Sequence, residues 1–537
     1  MTASRRIVLL GVDAANPALL HAWARDGTLP NLASLLARGL SAPTQSLPGF
    51  FVGSTWPSLY TGTTPARHGF HYQAQLRPGT YDLHRPQEDR LVKSPAFWRF
   101  LSEAGKRVAI LDVPLTQLEP HINGIQIVEW GGHDAVYGFR TNPPELAQTI
   151  YRHFGRHPGG PSCDGVRRSA ADYRQFADKL VRGVQTKTRI TRQLLGQERW
   201  DFFAQVFTET HCAGHQCWHL HDERHPAYDA GVAAAAGDPI RSVYVAVDRA
   251  IGEIVGEAGD ALVLVVSAHG MSSSFGAQFL LRQILSRLGV TRLPAASPIA
   301  SRPESAFHAS ARMVWRTLPA RLRAKLEPMR DLLARNDRAL PEAISLGVDA
   351  ENSRCFPVGN GLAVGGIRLN LAGREPRGML QPGAATDSFI AELCGHLAEI
   401  VDQRTGEPLI RRVWRTCDLY EGPCMDALPD LLVEWSDEIA TGSSCVGTGR
   451  GARVGAWSAR IGHVEGENAY CRTGEHRPGG MFVAAGPDVA AGRIARTISI
   501  LDFAPTICGI LGVPLAISDG SPITELMRRS DFDAASG

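Results

Sequence analysis

Four short runs of the chain are apolar at nearly every position: Ile7 to Val12, Arg107 to Val113, Trp200 to Phe207 and Ala261 to Ser267. A strand with one wet face alternates in polarity, whereas a run without alternation belongs to a strand covered on both faces, as in a parallel sheet. The first run is followed by Leu19, Leu20, Trp23, Leu32, Leu35 and Leu36 at near-helical spacing, interrupted at Pro30. Strand, loop and helix in this order form the unit of an α/β fold, a mostly parallel sheet flanked by helices. Each run ends in a polar loop carrying Asp, His or Glu. Ligands gather beyond the carboxyl ends of parallel strands, so these loops are expected to converge on one site.

A chain of 537 residues suits one large elaborated α/β core or two to three ordinary domains. Its 44% hydrophobic and 20% charged residues exclude general disorder. Lys+Arg 56 against Asp+Glu 54 leaves a net charge of +2 with no long run of either sign, which disfavours a nucleic-acid footprint. The ten cysteines are scattered without a C-x-x-C pair, so free thiols in a cytoplasmic protein are expected rather than a disulfide scaffold. The opening Ser4-Arg5-Arg6 is superficially like a twin-arginine signal. Its apolar stretch ends at Asp13 with no small-residue cleavage site, and a first buried strand is expected instead. No apolar run reaches the roughly 18 residues needed to span a bilayer, so no membrane partner is expected.

Residues 291–346 interrupt the α/β pattern. Within them Arg312 to Arg338 is basic and amphipathic, with Val314, Trp315, Leu318, Leu322, Leu326, Met329 and Leu332, and reads as a helical insertion, a lid or packing element. The core is therefore expected in 1–290 and 347–530, with a flexible tail at 531–537. After the insertion, Gly366 to Leu371 and Asp430 to Trp435 read as returning strands.

Five segments hold the residues able to do chemistry: Gly11-Val12-Asp13, Ser54 to Ser58, Glu209 to His215, Ser267 to Met271, and Thr473 to Gly480. They are read as loops, and their imidazoles and carboxylates together suggest a metal site. The segment Thr55-Trp56-Pro57-Ser58-Leu59-Tyr60-Thr61-Gly62-Thr63-Thr64-Pro65-Ala66-Arg67-His68-Gly69 resembles the nucleophile segment of the type I phosphodiesterase/nucleotide pyrophosphatase branch of the alkaline phosphatase superfamily. Gly214-His215, His269-Gly270-Met271, Gly474-Glu475-His476 and Ser499 to Thr506 carry the same resemblance, which runs from Ile7 to about Pro514. No one of these is specific alone; their order and spacing are.

The resemblance implies an alkaline-phosphatase-like fold and a hydrolase or phosphoryl transferase acting on a small phosphorylated or nucleotide-linked substrate. It also implies Thr55 as a metal-activated nucleophile, since a hydroxyl needs a cation or base to attack at neutral pH. Read without it, Thr55 could simply cap a helix starting near Pro57. The family's two metal sites align with His211, His215 and His476, and with Asp13, Thr55, Ala268 and His269. Two carboxylates are missing, replaced by His211 and Ala268. Two divalent ions with Asp13 as the one carboxylate would leave three net positive charges, and one ion leaves a single charge. The expectation is therefore one zinc at His211, His215 and His476. Asp13 and His269 either hold a weaker second ion or act on Thr55, with His269 as general base.

Gln73 stands where the branch usually has an Asn that meets a nonbridging phosphate oxygen, and could equally be a solvated amide. Arg368 and Arg374 could meet a substrate anion or form ion pairs. His219, His221 and His225 read as hydrogen-bonded residues rather than ligands, Cys212 and Cys217 as core residues, and Asp248 as a structural acceptor. A rival reading keeps the fold and loses the chemistry, with Ala268 as its best support and any zinc structural. A third keeps catalysis but turns to sulfate, phosphonate or group-transfer chemistry.

Overall fold

In the computed structural model, residues 5–85, 92–133, 135–160, 162–294 and 346–528 are described. The apolar runs pair side by side. Leu262–Ser267, Ile7–Val12, Phe202–Phe207, Val108–Leu111 and Gly124–Val128 lie next to one another in that order, every pair parallel. Their carboxyl ends therefore all open on one edge of the sheet. Arg140–Asn142 closes one side antiparallel. On the other, Gly479–Ala485 runs antiparallel to Leu262–Ser267, with Leu40–Gln45 beyond it. The fold is a large, mostly parallel sheet flanked by helices, as the unalternating runs require.

Both faces are dry. Ile7 and Leu9 join an apolar cluster on one side with Phe202, Val206, Leu264 and Val266, while Val8, Leu10 and Val12 join Phe203, Phe207, Val263 and Val265 on the other. Burying each such side chain contributes about 1.5–3 kcal/mol. Helices Pro17–Arg25, Pro30–Arg38, Ala170–Gln197 and Pro239–Ala258 supply the second cluster, and Thr55–Thr61, Phe97–Glu103 and Phe503–Ile510 the first. Pro30 separates the first two helices and starts the second, where its missing N–H has no helical partner to lose.

The returning strands appear as Val364–Leu369 and Leu431–Trp435, in an antiparallel sheet with Cys355–Val358 and Ile410–Arg415. The expected insertion falls outside the described residues except at 291–294 and 346, and the expected tail at 531–537 lies outside them entirely. No disulfide forms among the described residues. No described helix is long and apolar enough to cross a membrane.

Candidate metal centre

Asp13 follows Val12 at the end of the central strand and is 1% exposed. Its Oδ1 accepts the indole N–H of Trp56 at 2.7 Å. The next two strands toward Arg140–Asn142 end in Thr208-Glu209 and in Asp112, and the strand Gly124–Val128 ends in Glu129. Ala14, Asp112 and Glu129 all take positive φ, 50°, 49° and 56°. Non-glycine residues seldom hold that conformation without a surrounding structure that enforces it, and here three of them stand just past strand ends, two of which, Asp112 and Glu129, line one cavity.

Segments read as loops prove more regular. Thr55 heads the helix Thr55–Thr61, and His211 and His215 lie one turn apart in the helix Glu209–His221. His476 sits in the strand Gly474–Arg477, paired with Gly270–Ser273 so that Met271 lies opposite His476. Gly474 packs against the backbone of Gly214, where any Cβ would overlap the Gly214 carbonyl. That close approach carries His476 onto the helix.

Asp13, Thr55, Gln73, His211, His269 and His476 all line one cavity. The ring centroids of His211 lie 4.2 Å from His215 and 5.0 Å from His476, and those of His269 and His476 lie 4.7 Å apart. Suitable ligand atoms of His211, His215 and His476 are all within 4.8 Å of one another. His269 Nε2 is 4.0 Å from Asp13 Oδ1. Burial drives His211, His215 and His476 well below the usual imidazole range, and neighbouring imidazoles and Arg472 add to it. Burial also lowers His269, against the pull of Asp13. Neutral imidazole is the ligating form.

The donor set fits a divalent cation. His211 Nδ1, His269 Nδ1 and both ring nitrogens of His476 are buried without a hydrogen-bond partner among the described residues. Unpaired buried polar atoms are rare, and a neutral imidazole keeps one lone pair, so several of them close together without partners suit a cation. His215 Nδ1 bonds the Gly474 carbonyl at 2.7 Å, which orients its ring in the manner of a ligand.

Thr55 does not cap its helix. Its Oγ1 donates to the Phe51 carbonyl at 2.9 Å and lies 2.7 Å from Ser46 Oγ. Gln73 is exposed at the cavity rim. Arg368 and Arg374 lie apart from these residues. Arg368 is bound to Glu375 at 2.7 Å and to the Leu428 carbonyl, and Arg374 grips both Asp430 oxygens at 2.7 Å. Neither lines the cavity, and both belong to an ion-pair network with Glu375 and Asp430 at the ends of the strands Val364–Leu369 and Leu431–Trp435. Asp248 caps the helix Pro30–Arg38 through the Leu32 N–H. His219 bonds Thr473, His221 bonds Asp238, and His225 accepts from Ala227, away from the cluster. Cys212 and Cys217 are buried in the apolar cluster.

His133 and Arg472, which line the cavity, and Ser46, which contacts Thr55, escape the sequence reading, in which Glu475 stands without a role. Burial pushes the Glu475 carboxyl up to about 7. Arg472 is held by Asp164 at 2.9 Å and reaches His215 Nε2 at 3.0 Å. His133 follows the strand Gly124–Val128 in Gly131-Gly132-His133, the same pattern of buried strand and polar glycine loop that marked the other segments, and that signal was there to be read.

Residues 7–347 match the type I phosphodiesterase / nucleotide pyrophosphatase family. The chain belongs to that family. Among solved structures, it is similar to phosphonoacetate hydrolase from Sinorhizobium meliloti 1021 in complex with phosphonoformate, at 14% identity and a TM-score of 0.50, over 95% of this chain and 96% of that one. It is also similar to murine ectonucleotide pyrophosphatase / phosphodiesterase 5, an inactive form in complex with AMP, at 12% identity and a TM-score of 0.47, over 96% and 98%. No curated protein matches the chain. At 14% identity the likeness to the phosphonoacetate hydrolase speaks for the fold alone, and this family member keeps the alkaline-phosphatase-like architecture.

Proposed function

We propose that this protein is a metal-assisted hydrolase or transferase of phosphoryl esters, acting on a phosphodiester or nucleotide-linked substrate with Thr55 as nucleophile and zinc as the metal. The observation that carries the reading is that Thr55, Asp13, His211, His269 and His476 line one cavity although they come from five separate segments. Structural need alone gives no reason for a hydroxyl, a carboxylate and unpaired imidazoles to meet there.

A bound cation would polarise the phosphoryl oxygens and lower the barrier to ionising a hydroxyl. Asp13, His211, His215 and His476 are the candidate donors, with His269 either a further donor or, unligated, a base. The chain's own groups do the rest. The Thr55 oxygen attacks phosphorus as the P–O bond to the leaving alcohol or phosphate breaks, and that group departs with a proton. Water or an acceptor hydroxyl then cleaves the phosphoryl-threonine and returns the Thr55 hydroxyl. Ser46 Oγ, 2.7 Å away, donates a hydrogen bond to the Thr55 oxygen as it loses its proton. His269, kept neutral by burial, can accept the proton that Thr55 sheds. Gln73 offers an amide N–H to a nonbridging oxygen from the rim. Tyr72 and Tyr470 give the cavity aromatic walls that suit a base or an aryl leaving group.

The test is turnover of bis-p-nitrophenyl phosphate by the purified protein with its metal content measured alongside. Thr55→Ala is expected to lower kcat by at least ~10³-fold, the scale of losing a nucleophile. Activity equal to the parent's would remove Thr55 from the mechanism.

A further inference from the structure

The cavity's carboxylates are not equivalent. Asp112 accepts from the Trp130 and Gly131 N–H groups at 2.8 and 2.9 Å and pairs with Lys187. Glu129 accepts from the N–H groups of Val136, Tyr137 and Gly138. Glu475 accepts from the His476 N–H. Asp13 and Glu475 each accept a single hydrogen bond, Asp13 from the Trp56 indole, but the Asp13 carboxylate stands beside His269 and within ligand reach of His133 and His211. A divalent ion entering a buried site needs such a charge.

Ligand atoms of Asp13, His133 and His211 lie within 4.8 Å of one another. The His133 and His211 ring centroids are only 3.5 Å apart. Two imidazoles and a carboxylate form a known catalytic set with positions left open for substrate, and they leave one net positive charge on a divalent ion.

The trio His211, His215 and His476 offers no carboxylate. It also already holds a cation. A guanidinium has no acceptor, so in the 3.0 Å contact Arg472 must donate and His215 Nε2 must accept. With Nδ1 donating to Gly474, His215 has no lone pair left. His211 Nε2 stands 3.1 Å from the same His215 nitrogen. If it carries the proton there, its unpartnered Nδ1 is the lone pair turned to a metal.

His133 is held for this. Lys187 Nζ and Thr208 Oγ1 both bond the Gly131 carbonyl, at 3.3 and 2.6 Å. A Cβ on Gly131 would meet Lys187 Cε at 2.5 Å and the His157 ring at 2.8 Å, so a larger residue there would have to displace the buried lysine. Thr208 leads into the helix that carries His211. The loop bearing one ligand is thus bonded to the start of the helix bearing the other.

We propose that the protein holds a single divalent cation between Asp13, His133 and His211, and that the Arg472 guanidinium takes the place of a second cation beside His215. The proposal rests on the metal dependence argued above, and it moves the ion away from the trio expected from sequence.

Cobalt(II) titration of the metal-free full-length chain, read by visible absorption and elemental analysis, tests it. The parent is expected to bind one equivalent. His133→Ala is expected to weaken binding by more than about 100-fold, beyond the loss of an outer-shell partner, and His215→Gln by less than about tenfold. Arg472→Met, which frees the His215 lone pair, is expected to bind a second equivalent. Should His133→Ala misfold by thermal unfolding of the metal-free protein, His133→Gln replaces it. Cobalt lost in His215→Gln but kept in the His133 variant overturns the proposal, as does a parent that binds two. Thr55-dependent turnover with cobalt still tight in the His133 variant would sink this placement and leave the functional reading standing. One cobalt lost with His133 in a chain that turns over no phosphodiester would do the reverse.

Discussion

The Thr55 hydroxyl, the proposed nucleophile, does not cap its helix. Its proton has an acceptor in the Phe51 carbonyl, and Ser46 is at hydrogen-bond distance. Ser46 is itself fixed by its N–H bond to the Pro478 carbonyl at 2.8 Å, two residues past His476. A donor pointed at the attacking oxygen acts mainly in the transition state, when charge develops, so its loss lowers kcat rather than raising KM. Ser46→Ala is expected to lower kcat about tenfold, the equivalent of a ~1.4 kcal/mol hydrogen bond, with KM unchanged on bis-p-nitrophenyl phosphate. An unchanged kcat would show that Ser46 only packs. At position 268 the missing carboxylate has a plain counterpart: Ala268 is fully buried in the apolar cluster, so this residue belongs to the core. Thr55, His215, His269 and His476 were legible because their segments keep a family's spacing. Arg472 and Ser46 were not, since nothing in Cys471-Arg472-Thr473 or Gln45-Ser46-Leu47 says which way a side chain turns.

Between elements, the site depends on a buried charge cluster that no periodicity could reveal. Lys187, in the helix Ala170–Gln197, is 1% exposed and lies 3.3 Å from Glu209 and 3.5 Å from Asp112, while His157 bonds Glu209 at 2.9 Å. Burial pushes Lys187 down, but Glu209 and Asp112 outweigh it and hold the ammonium above its usual range. The cluster joins a strand end, the loop of His133 and the start of the His211 helix. Removing the lysine leaves two buried carboxylates without their cation, which costs about 3–5 kcal/mol. Lys187→Met is expected to lose that much stability by urea unfolding, and adding Glu209→Gln and Asp112→Asn is expected to restore part of it. A single variant as stable as the parent would show that water reaches the carboxylates. Helical spacing was enough to expect the helix after Ile7–Val12. It could not place a charged residue such as Lys187 in the core, because the pattern of the helix treats a lysine as solvated. The segment around His211 was read as a loop for a related reason: its histidines, Gly214 and Glu209 blur the apolar stripe of a helix that is buried nearly all round.

Across the whole molecule, imidazoles are buried well beyond the candidate metal centre. Burial pushes His68, His71 and His219 down to about 3 from an ordinary 6.5. His68 lies in the nucleophile segment and His71 just beyond it, with His68 Nε2 3.0 Å from Ser58 Oγ, and His219 lies one turn beyond His215 in the site helix, bonded to Thr473. The unfolded chain takes up protons at these residues as pH falls through 6.5, while the folded chain stays neutral there until about 3. The unfolded state therefore binds more protons across that window, and stability present above pH 6.5 is lost as pH drops. Each imidazole removes roughly 2 kcal/mol between pH 6.5 and 5. Glu475, raised by burial to about 7, works in the opposite direction, since the folded chain holds its proton first. Three depressed imidazoles outweigh one raised carboxyl, so the net effect is destabilisation. Urea midpoints of the metal-free chain are expected to fall steeply from about pH 7 to pH 5. His68→Gln keeps a neutral partner for Ser58 and removes one titrating ring, so its loss over the same interval is expected to be roughly 2 kcal/mol smaller than the parent's. Parallel curves for the two proteins would mean that His68 is protonated in the folded state well above 3, and that the nucleophile segment is open to water.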